Sequence, residues 1–67
     1  MDFYDKKRRA GMDLASYVNN SARKSFSEFS RECLITYGFD REYMFKLLTK
    51  NYVELTIVED QLVKRVA

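Results

Sequence analysis

The segment that decides the fold is residues 25–66, SFSEFSRECLITYGFDREYMFKLLTKNYVELTIVEDQLVKRV. Ser25 and Glu28 have the spacing of a capping box, in which the hydroxyl of the first residue accepts from the amide of the fourth. Apolar residues then recur at intervals of three and four, as on one face of an α-helix. Gly38 suits the left-handed conformation that ends many helices. These signals predict a helix over residues 25–37.

A further helix and a β-hairpin are predicted after Gly38. Asp40 is a good N-cap, and residues 41–50 contain no helix breaker, so we expect a helix there. From about residue 52 the apolar period changes from the helical value to two, which is typical of a half-buried strand. The apolar run stops at Glu59-Asp60 and then resumes. The pattern predicts a hairpin over about residues 52–66.

A turn centred on Glu59-Asp60 sets the register of this hairpin. It places Ile57 opposite Leu62, Glu54 opposite Arg65 and Val53 opposite Val66. Type I′ turns of two residues favour glycine, which is missing here, so a loop of three or four residues stays an alternative.

A helix is also predicted upstream, over about residues 2–18, with Asp2 as its N-cap. One face of it carries an apolar stripe, made of Phe3, Ala10, Leu14 and Tyr17 or Val18. Gly11 costs about 1 kcal/mol inside a helix relative to alanine. Either the helix bends at Gly11 or a neighbour approaches it closely.

Size and composition limit the classes of function. The chain has 67 residues, 46% of them apolar, which indicates one small folded domain. At this size a single core supplies about 3–5 kcal/mol of net stability. Cys33 is the only cysteine and histidine is absent, so an intramolecular disulfide is impossible, and nucleophilic triads and most metal sites lack their usual residues. We therefore expect no enzymatic activity, metal or cofactor. No apolar run could span a membrane or serve as a secretory signal, which predicts a soluble cytoplasmic protein.

The net charge of +2 is unevenly distributed. Residues 1–24 carry a net charge of +3, residues 25–51 are neutral, and residues 52–67 carry −1. The chain is not a polycation. Affinity for nucleic acid would therefore have to come from a few cations on one face.

The order of helix, capped helix, glycine turn, capped helix and hairpin resembles the winged helix-turn-helix superfamily, especially small transcription regulators of archaea, bacteria and their viruses. The resemblance covers essentially the whole chain. Phe29 and Cys33 match buried positions of the family's second helix, Gly38-Phe39-Asp40 its turn, and Met44 and Leu48 the core of its third helix. The chain departs from the family in a shorter third helix and in the acidic tip of the wing. The expected fold is α+β, a three-helix winged helix-turn-helix with a C-terminal β-hairpin.

The resemblance implies a regulator that binds double-stranded DNA with its third helix in the major groove. The implied contacts on that helix are Arg41, Glu42, Lys46, Thr49 and Lys50. Lys64 and Arg65 of the hairpin are candidates for backbone contact, and so is the run Lys6-Lys7-Arg8-Arg9. All of these residues would serve equally well as a solvated, solubilising surface.

Three aromatic residues are hard to bury within one chain: Phe3, Tyr4 and Phe45. Exposed aromatics in a small domain often mark an interface, so we expect a homodimer, which would present two recognition helices to a two-fold DNA site. If instead the first helix folds over these rings, no interface is needed. A second interpretation is a protein-interaction module that uses Phe45, Tyr43 and the acidic hairpin to bind a protein partner. A third is exchange of the C-terminal segment between two copies.

Overall fold

The computed structural model describes residues 2–20 and 23–65. Three helices are followed by one antiparallel hairpin: α1 is Phe3–Asn19, α2 Phe26–Tyr37, α3 Arg41–Asn51, β1 Leu55–Val58 and β2 Gln61–Lys64. The fold is therefore α+β with a winged-helix-like topology, as predicted.

Each helix begins at the polar residue that the sequence indicates. The side chains of Asp2, Ser25 and Asp40 accept hydrogen bonds from backbone amides three residues later, at 2.8, 3.3 and 2.8 Å. These bonds satisfy amide groups that the first turn of a helix leaves without an intrahelical partner. The predicted starts are confirmed to within one residue.

Gly38 ends α2 as predicted. Its φ of 80° and ψ of 14° lie in the left-handed region, and its amide donates to the carbonyl of Leu34 at 2.9 Å. Phe39 then turns into the core, where it is 8% exposed. The α2–α3 connection is therefore short and determined by local chemistry.

The hairpin has the predicted register but is shorter than predicted. Ile57 pairs with Leu62, and the amide of Arg65 donates to the carbonyl of Glu54; the predicted partner of Val53, Val66, lies outside the described residues. The predicted start at about residue 52 is wrong, because the Tyr52 amide still bonds to α3 and residues 52–55 form a turn, whereas residue 66 lies outside the described residues. Val53, near the predicted start of the strand, is 69% exposed.

The hairpin turn consists of Glu59 and Asp60, with φ values of 51° and 65°. Two central residues with positive φ form a turn of the type I′ kind, which normally selects glycine or asparagine. Asp60 offsets the unfavourable conformation through contacts with α2 that are described below. The alternative of a longer loop is therefore wrong.

The core lies where the three helices meet. Four large side chains are almost completely buried: Leu14, Phe26, Met44 and Leu48. Ile57 and Leu62 cover this core from the hairpin. The burial of Ala10, Leu14 and Tyr17 confirms most of the predicted stripe on α1, but Phe3 is 55% exposed.

Gly11 has no close neighbour. A Cβ atom built there would meet nothing within 4 Å, so of the two alternatives for Gly11, close approach of a neighbour is wrong.

Candidate nucleic-acid interface

Helix α3 combines a buried side with an exposed polar side. Met44, Leu47 and Leu48 face the core, whereas Glu42, Lys46 and Lys50 are exposed. The Lys46 ammonium lies 3.2 Å from the Glu42 carboxylate, and both side chains are more than 70% exposed. Such an exposed pair contributes little to stability and is open to exchange with an external anion.

Thr49 is partly withdrawn from this surface. Its hydroxyl lies 3.1 Å from the carbonyl of Phe45 and 3.3 Å from that of Lys46. A hydroxyl that donates to its own helix keeps only acceptor capacity toward a ligand.

Arg41 is held between α2 and the hairpin turn. Its Nη1 lies 2.9 Å from Asp60 Oδ1 and 3.0 Å from Ser27 Oγ. Its guanidinium carbon stands 5.0 Å from the centroid of the Phe26 ring, which is within the range of a cation–π contact. The expected phosphate contact therefore also has a role within the fold.

Asp60 ties the hairpin turn to the start of α2. Its carbonyl accepts from the Phe26 amide at 2.9 Å, and its carboxylate accepts from the Ser27 amide at 3.0 Å and the Ser27 hydroxyl at 2.8 Å. The bonds from Ser27 and Arg41 hold the pKa of this carboxyl below its ordinary value. The acidic wing tip is thus a cap on α2, and the first-turn amides of this helix are satisfied from within the chain.

The predicted cations outside α3 differ in their surroundings. Arg8 and Arg9 both pair with Asp5, at 2.7 and 3.3 Å. Lys7 is exposed and Lys6 half-buried, while Lys64 and Arg65 are exposed at the end of the hairpin away from its turn. The Asp5 carboxylate thus neutralises part of the basic run on α1.

Arg31 was not among the residues predicted to contact DNA. It is exposed on α2 and lines a shallow pocket together with Arg41, Ser27, Ser30 and Leu34. The spacing of four from Ser27 would have placed Arg31 on the side of the helix that holds Asp60, had the position of the hairpin been known.

Of the three aromatic residues predicted to lie at an interface, only two are exposed. Phe3 and Tyr4 are 55% and 82% exposed. Phe45 packs against the core, with its ring edge-on to Phe26 at 6.5 Å, so the expectation that it faces outward is wrong. The Tyr43 ring stacks on the Phe39 ring at 4.3 Å. Tyr43 and Phe45, the two aromatic residues named as contacts for a protein partner, thus both pack within the chain.

A second groove, of about 300 Å³, runs along α1 and α2 on the other side of α2. Its lining includes Tyr17, which stacks on Phe29 at 4.4 Å, and Cys33. Burial raises the pKa of the Cys33 thiol to about 11, which makes it a poor nucleophile near neutral pH. The Tyr37 hydroxyl donates to Asp13, and this bond raises the pKa of Tyr37 to about 12. The Cys33 thiol and the Tyr37 hydroxyl therefore both stay protonated near neutral pH.

Within residues 2–20 and 23–65, no cluster of three or more histidine, cysteine or acidic residues could hold a metal ion. None of the helices described is long and apolar enough to cross a membrane. No protein-family model, curated protein or solved structure matches the chain. Membership of the winged helix-turn-helix superfamily therefore stays a prediction from the sequence.

Proposed function

We propose that the protein binds double-stranded DNA, with α3 in the major groove, as a small cytoplasmic regulator of transcription that needs no cofactor. The observation that supports this most directly is the exposed side of α3, which presents Lys46 and Lys50 opposite the residues it buries. Lysine ammonium groups donate to phosphates and to guanine O6 and N7. Glu42 could accept from cytosine N4 once Lys46 is engaged elsewhere.

Two further cations support contact with the DNA backbone. Lys64 and Arg65 are exposed, and within the described residues neither forms an ion pair. Contact by the turn itself is not part of the proposal, because Asp60 is committed to α2.

The test is titration of a short fluorescent duplex at several salt concentrations. The slope of log affinity against log salt counts phosphate contacts, at about 0.9 for each contact on B-DNA. Lys46→Ala and Lys50→Ala should each weaken binding and reduce this slope by about 1. Both side chains are exposed, so the variants should keep the wild-type thermal midpoint.

Lys24→Ala is the matched control, because it removes the same charge from the other side of α2, where Lys24 pairs with Glu32. If Lys46→Ala, Lys50→Ala and Lys24→Ala all lose the same DNA affinity, the loss comes from the change in net charge and not from a contact by α3. The absence of binding at low salt would refute the proposal.

A homodimer is proposed as the binding form, through the exposed rings of Phe3 and Tyr4 on α1. Light scattering after size exclusion should give twice the chain mass for the wild type and the single mass for Phe3→Ser with Tyr4→Ser. A monomeric wild type would remove this part of the proposal.

One observation favours a protein-interaction module as the alternative function. Leu34 and Ile35 lie side by side on α2 and are 49% and 77% exposed. Adjacent exposed apolar side chains are typical of protein interfaces. Capture of a stoichiometric partner that Ile35→Ser abolishes, with no DNA binding at low salt, would select this alternative.

A further inference from the structure

A shallow pocket of about 250 Å³ lies between α2 and the start of α3. Ser27, Ser30, Arg31 and Leu34 line it from α2, and Arg41 from α3. Arg31 and Arg41 bring two positive charges to the pocket, and the Asp60 carboxylate beside Arg41 offsets one of them.

Arg41 enters the pocket with a defined orientation. Both hydrogen bonds that hold it, to Asp60 and to Ser27, use Nη1. Among the described residues, Nε and Nη2 have no hydrogen-bond acceptor, so these donors stay available while the Phe26 ring supports the guanidinium. A side chain fixed before binding loses less conformational entropy when it takes up a ligand.

Arg31 supplies the second guanidinium. It is exposed and forms no ion pair within residues 2–20 and 23–65. The two serine hydroxyls already donate, Ser27 to Asp60 and Ser30 to the carbonyl of Ser27. The donors left for a ligand in this pocket therefore belong to the arginines.

We propose that this pocket holds one DNA backbone phosphate between the guanidinium groups of Arg31 and Arg41. The inference rests on the proposed function and adds to it a contact on α2, beside the helix that reads the groove. Planar guanidinium forks match phosphate oxygens in a bidentate geometry. The pocket is shallow and open beside α3, which suits a phosphate on an extended backbone. Asp60 acts as a positioning residue that aims Arg41.

The experiment compares the wild-type protein with Arg31→Ala, Arg31→Lys and Lys24→Ala, using a short fluorescent duplex between about 50 and 200 mM salt. Arg31→Ala should weaken binding about tenfold at low salt, as expected for a charged hydrogen bond. It should also lower the salt slope by about 0.9. Arg31→Lys should restore the slope but only part of the affinity, because lysine keeps the charge and loses the fork. Lys24→Ala should leave the slope unchanged.

The outcomes separate this inference from the proposed function. If the wild type binds DNA and Arg31→Ala has the wild-type slope, the pocket assignment is overturned while contact by α3 stands. If Arg31→Ala lowers the slope and Lys46→Ala with Lys50→Ala does not, contact by α3 falls and the pocket stands. No binding at any salt concentration overturns both. Equal dependence on Arg31 in binding a glutamate-rich peptide would assign the pocket to an acidic protein partner instead.

Discussion

The chain has two glycines, and replacing each with alanine should change stability in opposite directions. Gly38 has a φ of 80°, where an L-residue costs about 1–2 kcal/mol. An added Cβ meets nothing within 4 Å, so no steric clash adds to this cost. Reduced entropy of the unfolded chain returns about 0.4–1 kcal/mol. Gly38→Ala should therefore destabilise the fold by about 1 kcal/mol.

Gly11→Ala tests the same side chain in the opposite backbone setting. Gly11 lies within α1, and a Cβ there also meets nothing within 4 Å. Alanine is favoured over glycine inside a helix by about 1 kcal/mol, so this variant should be more stable than the wild type. The two variants should differ by about 2 kcal/mol from backbone conformation alone.

The assay is urea and thermal denaturation followed by far-UV circular dichroism. In a domain of this size each kcal/mol moves the midpoint by about 4–8 °C, so the two shifts are readily resolved. The urea m-value should stay constant, since neither change alters the buried surface. Gly38→Asn should lose less than Gly38→Ala, because asparagine tolerates the left-handed region. Shifts of the same sign for Gly11→Ala and Gly38→Ala would refute the reasoning.

The remaining predictions concern Tyr17, Tyr37, Asp60 and Cys33. In denaturation experiments Tyr17→Phe should be more stable than the wild type by about 1 kcal/mol, because the Tyr17 hydroxyl is buried and lacks a hydrogen-bond partner among the described residues. Tyr37→Phe should be less stable than the wild type, because it loses the hydrogen bond to Asp13. Asp60→Asn should lower the thermal midpoint at neutral pH. Since the pKa of Asp60 is lowered by folding, its contribution is present above the ordinary value of 3.8 and is lost as the pH falls through the folded value. Cys33 is 3% exposed, so a thiol reagent should label it only when the chain opens.

Each of these predictions has an outcome that contradicts it. A Tyr17→Phe variant less stable than the wild type would mean that the hydroxyl has a partner. A midpoint difference between wild type and Asp60→Asn that does not shrink as the pH falls below 3.8 would contradict the linkage at Asp60. Labelling of native Cys33 at the rate seen in denaturant would show that the thiol is accessible.

Under the proposed function, the ion pairs around the candidate interface predict how mutation should change DNA affinity. Arg41 pairs with Asp60, and Lys46 pairs with Glu42. A phosphate that binds Lys46 competes with an exposed carboxylate, whereas Arg41 retains unused donors while its own pair stays intact. A loss of DNA affinity in Lys46→Ala would therefore report on the contact with DNA alone. Arg41→Ala would also remove contacts that join α3 to the hairpin turn and to α2.

The sequence alone determined the order of the elements, the three N-caps, the glycine stop and the hairpin register. These features depend on residues close together in the chain: a cap acts over three positions, and the alternation of a strand over two. The same local rules placed Lys46 and Lys50 on the exposed side of α3, where the structure has them.

Only the tertiary structure decided what Asp60, Phe45 and Arg31 do. Asp60 caps α2 through Ser27, which lies 33 positions before it in the chain, and no pattern in the sequence links residues so far apart. Phe45 is covered because α3 lies against Phe26, and Arg31 shares a pocket with Arg41 because two helices meet there. Such contacts depend on how complete elements pack against one another, so side-chain spacing along one helix could not reveal them.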